Sequence, residues 1–199
     1  MGILMTYVIN PPTAAFNQWL AGALAGMSTT SKVLMGFVLG AMMSIDFGGP
    51  LNKAAYVFGT ASLAAADGSA VSSEIMAAVM IGGMVPPCAI ALSTILFKNR
   101  FTKEERDAGP TNFIMGLAFI TEGAIPYAAA DPLHVLPSCI AGSAVAGALS
   151  MAFGCTLMAP HGGIFVFPVV GNAVMYLVAL VAGTVISAVL LGLLKKKAA

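Results

Sequence analysis

The chain has 199 residues, of which 59% are hydrophobic and only 9% charged, with a formal net charge of +1. A water-soluble globule carries about a quarter charged residues, so that class is excluded, and nine scattered basic residues leave no nucleic-acid footprint. At about 20 residues per crossing, the length allows roughly five or six membrane elements and little else.

The N-terminus, Met1-Gly2-Ile3-Leu4-Met5-Thr6-Tyr7-Val8, has no basic region before its apolar residues and runs into Asn10-Pro11-Pro12, so it does not read as a signal peptide. It reads as the tail of an interrupted helix, as if the chain were a short form. Apolar stretches follow at 13–27, 33–45, 54–66, 75–97, 111–129, 133–159 and 164–194. Tyr7 and Trp19 are expected as interfacial anchors, and Gly22 with Gly26 forms a weak GxxxG. The uncharged stretch 75–97 is long enough to cross the bilayer, whereas 33–45 and 54–66 are each too short to cross alone. Between these two, Ile45-Asp46-Phe47-Gly48-Gly49-Pro50-Leu51-Asn52-Lys53 breaks any helix at Gly-Gly-Pro.

Lys98, Arg100, Lys103 and Arg106 cluster in one polar loop, and Lys195, Lys196 and Lys197 lie at the other end of the last apolar stretch. The positive-inside rule makes both cytoplasmic, so an even number of crossings separates them. Three apolar stretches occupy that interval, and one must therefore enter and leave on the same side. The stretch 111–130 is the candidate, because Glu122-Gly123-Ala124-Ile125-Pro126 interrupts it. Thr111 to Glu122 spans roughly 16 Å of helix, which reaches about the bilayer midplane. If 75–97 ends inside, Asp67 and Glu74 lie outside, and the two short stretches form a second hairpin entering from that face. The expected fold is an all-α integral membrane protein with two opposed re-entrant, discontinuous hairpins. Broken helices meeting at the midplane are where transporters build their substrate sites.

Charges inside a membrane are costly and line pathways or pair. Glu122, on the break, is suited to accept hydrogen bonds from a sugar hydroxyl or to take its proton as a general base; the other reading is a carboxylate capping free backbone amides. Asp46, Asn52 and Lys53 either hold ligand hydroxyls, with Lys53 steering an anion, or Asp46 and Lys53 close the tip as an ion pair. His161, in Pro160-His161-Gly162-Gly163, is a hydrogen-bonder or proton carrier, or else a turn histidine satisfied by backbone. Asp131 and His134 read as solvated loop residues. Cys88, Cys139 and Cys155 lie far apart in apolar stretches and read as inert. The motifs call for no cofactor and no metal: there is no Walker loop, no Gly-x-Ser-x-Gly, no metal-binding histidine pair and no nucleophilic cysteine in a polar setting.

Four blocks in order resemble the membrane component, IIC, of the fructose-specific branch of the bacterial sugar phosphotransferase system. They are Met42-Met43-Ser44-Ile45-Asp46-Phe47-Gly48-Gly49-Pro50-Leu51-Asn52-Lys53-Ala54-Ala55-Tyr56, then Gly83-Met84-Val85-Pro86-Pro87. The others are Thr121-Glu122-Gly123-Ala124-Ile125-Pro126-Tyr127-Ala128-Ala129-Ala130-Asp131-Pro132 and Met158-Ala159-Pro160-His161-Gly162-Gly163. The resemblance implies a multi-pass protein of the bacterial inner membrane with a cytoplasmic C-terminus that carries a sugar, fructose in the first place, inward as it is phosphorylated. The phosphoryl group would come from a phosphocysteine on a IIB domain, charged in turn by IIA, HPr and enzyme I, and no residue of this chain would be phosphorylated. Glu122 occupies the motif whose glutamate sits against the acceptor hydroxyl, with Asp46, Asn52, Lys53, Thr121 and His161 as further sugar-site residues. The resemblance also implies homodimers. It makes residues 1–199 one membrane domain like the C-terminal, transport half, with the N-terminal scaffold half and the IIA and IIB domains outside the chain. An ion-coupled sugar transporter using Asp46 and Glu122, and a non-catalytic subunit of a split permease, are the alternatives.

Overall fold

The computed structural model describes residues 15, 22, 32–64 and 71–197. The expectations for 13–27, Tyr7, Trp19, the Gly22–Gly26 pair and Asp67 rest on residues outside these. Eight α-helices are described: α1 Lys32–Ile45, α2 Pro50–Ala61, α3 Glu74–Leu96, α4 Lys103–Asp107, α5 Gly109–Leu117, α6 Ile125–Ala130, α7 Pro132–Ala152 and α8 Ala173–Leu194. A two-residue antiparallel pairing, β1 Thr156–Leu157 with β2 Val170–Gly171, is the only sheet among the described residues. Three helices, α3, α7 and α8, are long and apolar enough to cross a membrane. The chain is an all-α membrane protein in its architecture.

α3 is the central post. Ser73 caps it by accepting a hydrogen bond from Met76 N at 3.1 Å, and nearly every residue from Met76 to Thr94 is buried. The outer face of α8 carries Val174, Val178, Val181, Val185 and Val189, all solvent-accessible, which in a bilayer is a lipid-facing stripe. α1, α7 and α8 pack through glycines rather than through interdigitated large side chains. A Cβ at Gly40 would collide with the Ser143 carbonyl, and one at Gly142 would fall 2.5 Å or less from atoms of α8. Small residues at such crossings let helix backbones approach closely where lipid supplies no hydrophobic drive.

α3 contains two adjacent prolines, Pro86 and Pro87, which cannot donate to the carbonyls four residues back. The freed carbonyls belong to Gly82 and Gly83, and other elements satisfy both. Ser143 Oγ of α7 donates to Gly82 O at 2.8 Å, and Ser44 of α1 hydrogen-bonds to Ser143. Thr121 Oγ1 donates to Gly83 O at 3.0 Å. The carbonyl of Pro87 itself accepts from Asn112 Nδ2 of α5 at 3.2 Å. Two hydroxyls and one side-chain amide thus stitch α7, the Thr121 turn and α5 to α3 around the place where its own ladder is open.

The two ends of the bundle are marked by charge. At one end Lys195 Nζ reaches Glu105 Oε1 at 3.2 Å and Asp131 Oδ2 at 3.7 Å, and Arg100 donates to the Lys195 carbonyl. Asp131 also hydrogen-bonds with His134 Nδ1 at 2.6 Å, so these two residues are half-buried beside Lys195 rather than fully solvated. At the opposite end Lys32 pairs with Glu74 at 2.9 Å and Ser73 bridges to Leu157. α3 and α8 therefore run towards the Lys195 end and α7 runs away from it.

The two broken segments each start and finish at a single end. α1 begins at Lys32, beside Glu74, and α2 is followed by its C-cap Ser62, hydrogen-bonded to Ser73. From the other end, α5 follows the basic loop, and α6 returns to it through Tyr127 Oη, which donates to Glu105 O at 2.8 Å. Two boundaries differ from the sequence reading. The stretch 133–159 stops at Ala152 because Gly154 adopts φ 62°, with Cys155 N donating to Ser150 O at 2.9 Å and Gly154 N to Met151 O at 3.1 Å, a Schellman ending. The stretch 164–194 is not one helix, since Gly163–Val169 forms a 3₁₀ segment containing Pro168 and α8 begins only after Asn172.

Candidate functional site

The first break is a turn built around Asp46. Its carboxylate accepts from Leu51 N at 2.7 Å and Asn52 N at 3.0 Å, holding the start of α2 against the end of α1. The Asp46–Lys53 ion pair considered from sequence is not formed. Phe47 and Gly48 both take positive φ, 39° and 100°, so the chain reverses in a conformation that Gly48 accommodates without cost. Asn52 is buried, and its Nδ2 donates to Met43 O at 2.8 Å, which ties α2 back to α1.

The second break lies slightly earlier than the sequence suggested. α5 ends at Leu117, Phe119 takes φ 63°, and Thr121–Ala124 forms a 3₁₀ turn before Pro126 opens α6 in its first turn. A bulky residue held at positive φ is strained backbone, of the kind found at binding sites. Thr121 pins this turn to the proline gap of α3 and so fixes where Glu122 points.

The two turns meet. A Cβ on Gly48 would lie 2.7 Å from Glu122 Oε1, so the carboxylate rests against the backbone of the opposite turn. Between them is a cavity of about 380 Å³ lined by Met43, Gly48, Asn52, Lys53, Tyr56, Phe119, Ile120, Thr121, Glu122 and His161. His161 arrives from the loop after β1. Gly163, at φ 57°, packs on the carbonyl of Leu117, and this brings the His161 ring edge-on to Phe119 with centroids 4.9 Å apart and to Tyr56 at 6.5 Å. No hydrogen bond to the Glu122 carboxylate is made by the described residues, so it does not act there as an amide cap.

Five of the six expected site residues, Asn52, Lys53, Thr121, Glu122 and His161, thus line one cavity. Asp46 stands behind it and shapes the turn. Tyr56 and Phe119 are wall residues that the sequence did not single out, although Tyr56 closes the first resembling block and Phe119 falls one residue before the Ile120-Thr121-Glu122 segment. The aromatic walls with amide, carboxylate, ammonium and imidazole groups suit a small polyol, which offers both apolar C–H faces and hydroxyls.

A relative from Bacillus subtilis, a fructose-specific EIIABC component, is 51% identical over 195 residues, covering 98% of this chain and 30% of the relative. The fructose permease IIC component of Bacillus amyloliquefaciens is likewise 51% identical and is covered to 62% of its length. The fructose-specific EIIB'BC component of Escherichia coli is 45% identical over 199 residues. The chain is a homologue of fructose-specific IIC components. It corresponds to a C-terminal portion of them. It spans only 30–62% of the length of the two Bacillus relatives. No family model matches the chain, and no solved structure gives a significant match. Identity near one half places the IIC resemblance, drawn from four short blocks, over nearly every residue.

Proposed function

We propose that this chain is the transport half of a fructose permease of the phosphotransferase system, binding the sugar between its two broken hairpins and presenting it for phosphorylation. The observation that carries this reading is the Glu122 carboxylate, which has no hydrogen-bond or ion-pair partner among the described residues and faces a cavity of about 380 Å³ against the opposite turn. In a bilayer, α1–α2 and α5–α6 act as re-entrant hairpins from opposite faces. Support comes from their lengths: the 14 residues of α1 rise about 21 Å, short of a hydrocarbon core of about 30 Å. The basic loop and Lys195–Lys197 then face the cytoplasm of a multi-pass inner-membrane protein, with α7 and α8 as the even pair of crossings between them. We take a homodimer as the working assembly.

Asn52, Thr121 and His161 position the hydroxyls, and Asp46 holds the turn that presents Asn52. Glu122 takes the proton of the acceptor hydroxyl, C1 of fructose. That oxygen forms a bond to the phosphorus of a phosphocysteine on IIB, the S–P bond breaks, and its electron pair leaves on the cysteine thiolate. Such transfer is chiefly positioning and electrostatics, so one aimed carboxylate suffices on the acceptor side. The relatives from Bacillus subtilis and Escherichia coli bear names that join IIB to IIC, which supports phospho-IIB as donor. Replacing Glu122 by Gln keeps shape and removes the base. Membranes supplied with phospho-IIB should then lose sugar phosphorylation by about 10²-fold or more. Full activity in that variant, or accumulation of unmodified sugar driven by an ion gradient, would overturn the assignment.

A further inference from the structure

Lys53 faces the cavity from the first turn of α2 and is exposed there. Among the described residues no carboxylate lies within ion-pair distance of it. Asp46, its sequence neighbour, is committed to the amides of Leu51 and Asn52, and Glu122 stands on the facing turn. Because those amides are occupied, the end of α2 is not itself open to an anion, and the ammonium is the cationic feature of this wall. A neutral polyol gives a full positive charge nothing to do that Asn52 and His161 do not already provide. A phosphate monoester, with a charge of about −1.5 to −2 at neutral pH, does. A lysine ammonium binds such a group as a compact point charge.

Resting on the reading of this cavity as a sugar site, we infer that Lys53 holds the phosphoryl group of the phosphorylated sugar, while Glu122 faces the hydroxyl from which it was made. The two charges work in sequence. Before transfer the Glu122 carboxyl group faces Lys53 across the cavity. Once Glu122 carries the proton of the acceptor hydroxyl, the lysine charge is left unbalanced as the new phosphate ester forms beside it. The cavity thereby changes from a neutral site for a neutral sugar to a cationic site for an anionic product.

The test measures binding of fructose and of fructose 1-phosphate to the full chain in nanodiscs. In the wild type, raising ionic strength should weaken fructose 1-phosphate and leave fructose unaffected, since salt screens only the charged ligand. Lys53→Gln should lower the ratio of fructose 1-phosphate to fructose affinity by about tenfold or more, and Lys53→Arg should retain most of it. Glu122→Gln should raise the same ratio. A ratio unchanged in Lys53→Gln, or a salt-independent one in the wild type, overturns the inference while fructose binding still stands. Absence of fructose binding in the wild type would instead overturn the sugar-site reading and the inference with it.

Discussion

At the scale of single residues, the site separates groups that the sequence could only list together. Asp46 and Glu122 are both carboxylates on breaks in apolar stretches, yet Asp46 accepts from two backbone amides while Glu122 lines the cavity. What sets Glu122 is its neighbour. Thr121 Oγ1 is the hydroxyl donor to the Gly83 carbonyl, which Pro87 left without its helical partner. Thr121→Val keeps the shape and orphans that buried carbonyl, at a cost of roughly 1–3 kcal/mol. The expected result is a lower midpoint of thermal unfolding in detergent together with weakened sugar binding, while Thr121→Ser retains both. Unchanged stability and binding in Thr121→Val would show that the hydroxyl does not fix the turn.

At the scale of elements, glycine and proline set the architecture by opposite means: one lets helices touch, the other obliges them to exchange hydrogen bonds. α1 lies on α7 through Gly36, Gly40 and Gly147. Gly40→Ala adds a methyl group directly against the Ser143 carbonyl, and Ser143 is the residue that also satisfies Gly82. Overpacking of this kind costs about 1–3 kcal/mol, so the variant should unfold earlier and show reduced sugar binding through displacement of the first hairpin. A melting midpoint equal to that of the wild type would refute the close contact. Both breaks were legible in the sequence, since Gly48-Gly49-Pro50 and Glu122-Gly123-Ala124-Ile125-Pro126 are local helix breakers inside apolar stretches. What was not legible depends on partners distant in sequence. Pro86 and Pro87 read as part of an uninterrupted apolar run, and their meaning emerges only when Ser143 and Thr121 arrive. The ends at 133–159 and 164–194 were overdrawn because hydropathy does not register the left-handed Gly154, and Phe165-Val166-Phe167 remains apolar while forming a 3₁₀ segment rather than part of α8. The positions of His161 over Phe119 and of Asp46 on its amides likewise follow from tertiary placement of loops.

At the scale of the whole molecule, the direction of three helices decides how the chain sits in a membrane. α3 runs from the Lys32–Glu74 end to the Lys195 end, α7 returns and α8 runs forward again, so the basic loop and Lys195–Lys197 share one face. The ion cluster of Glu105, Asp131 and Lys195 ties the foot of the second broken segment to that end. The three native cysteines are buried, which gives a quiet background for site-directed labelling. With cysteines introduced singly at Asn99, Lys197 and Ser72, all exposed positions, a membrane-impermeant maleimide should modify the first two from one side and Ser72 from the other. A cysteine at Ile120, which lines the cavity on the second turn, should react slowly in sealed vesicles and more slowly still with fructose present. Were Asn99 and Lys197 to react from opposite faces, the pair of crossings made by α7 and α8 would be wrong. Rapid modification at Ile120 from the cytoplasmic side, unaffected by fructose, would put the Glu122 turn in an open loop and remove the cavity on which the proposed sugar site rests.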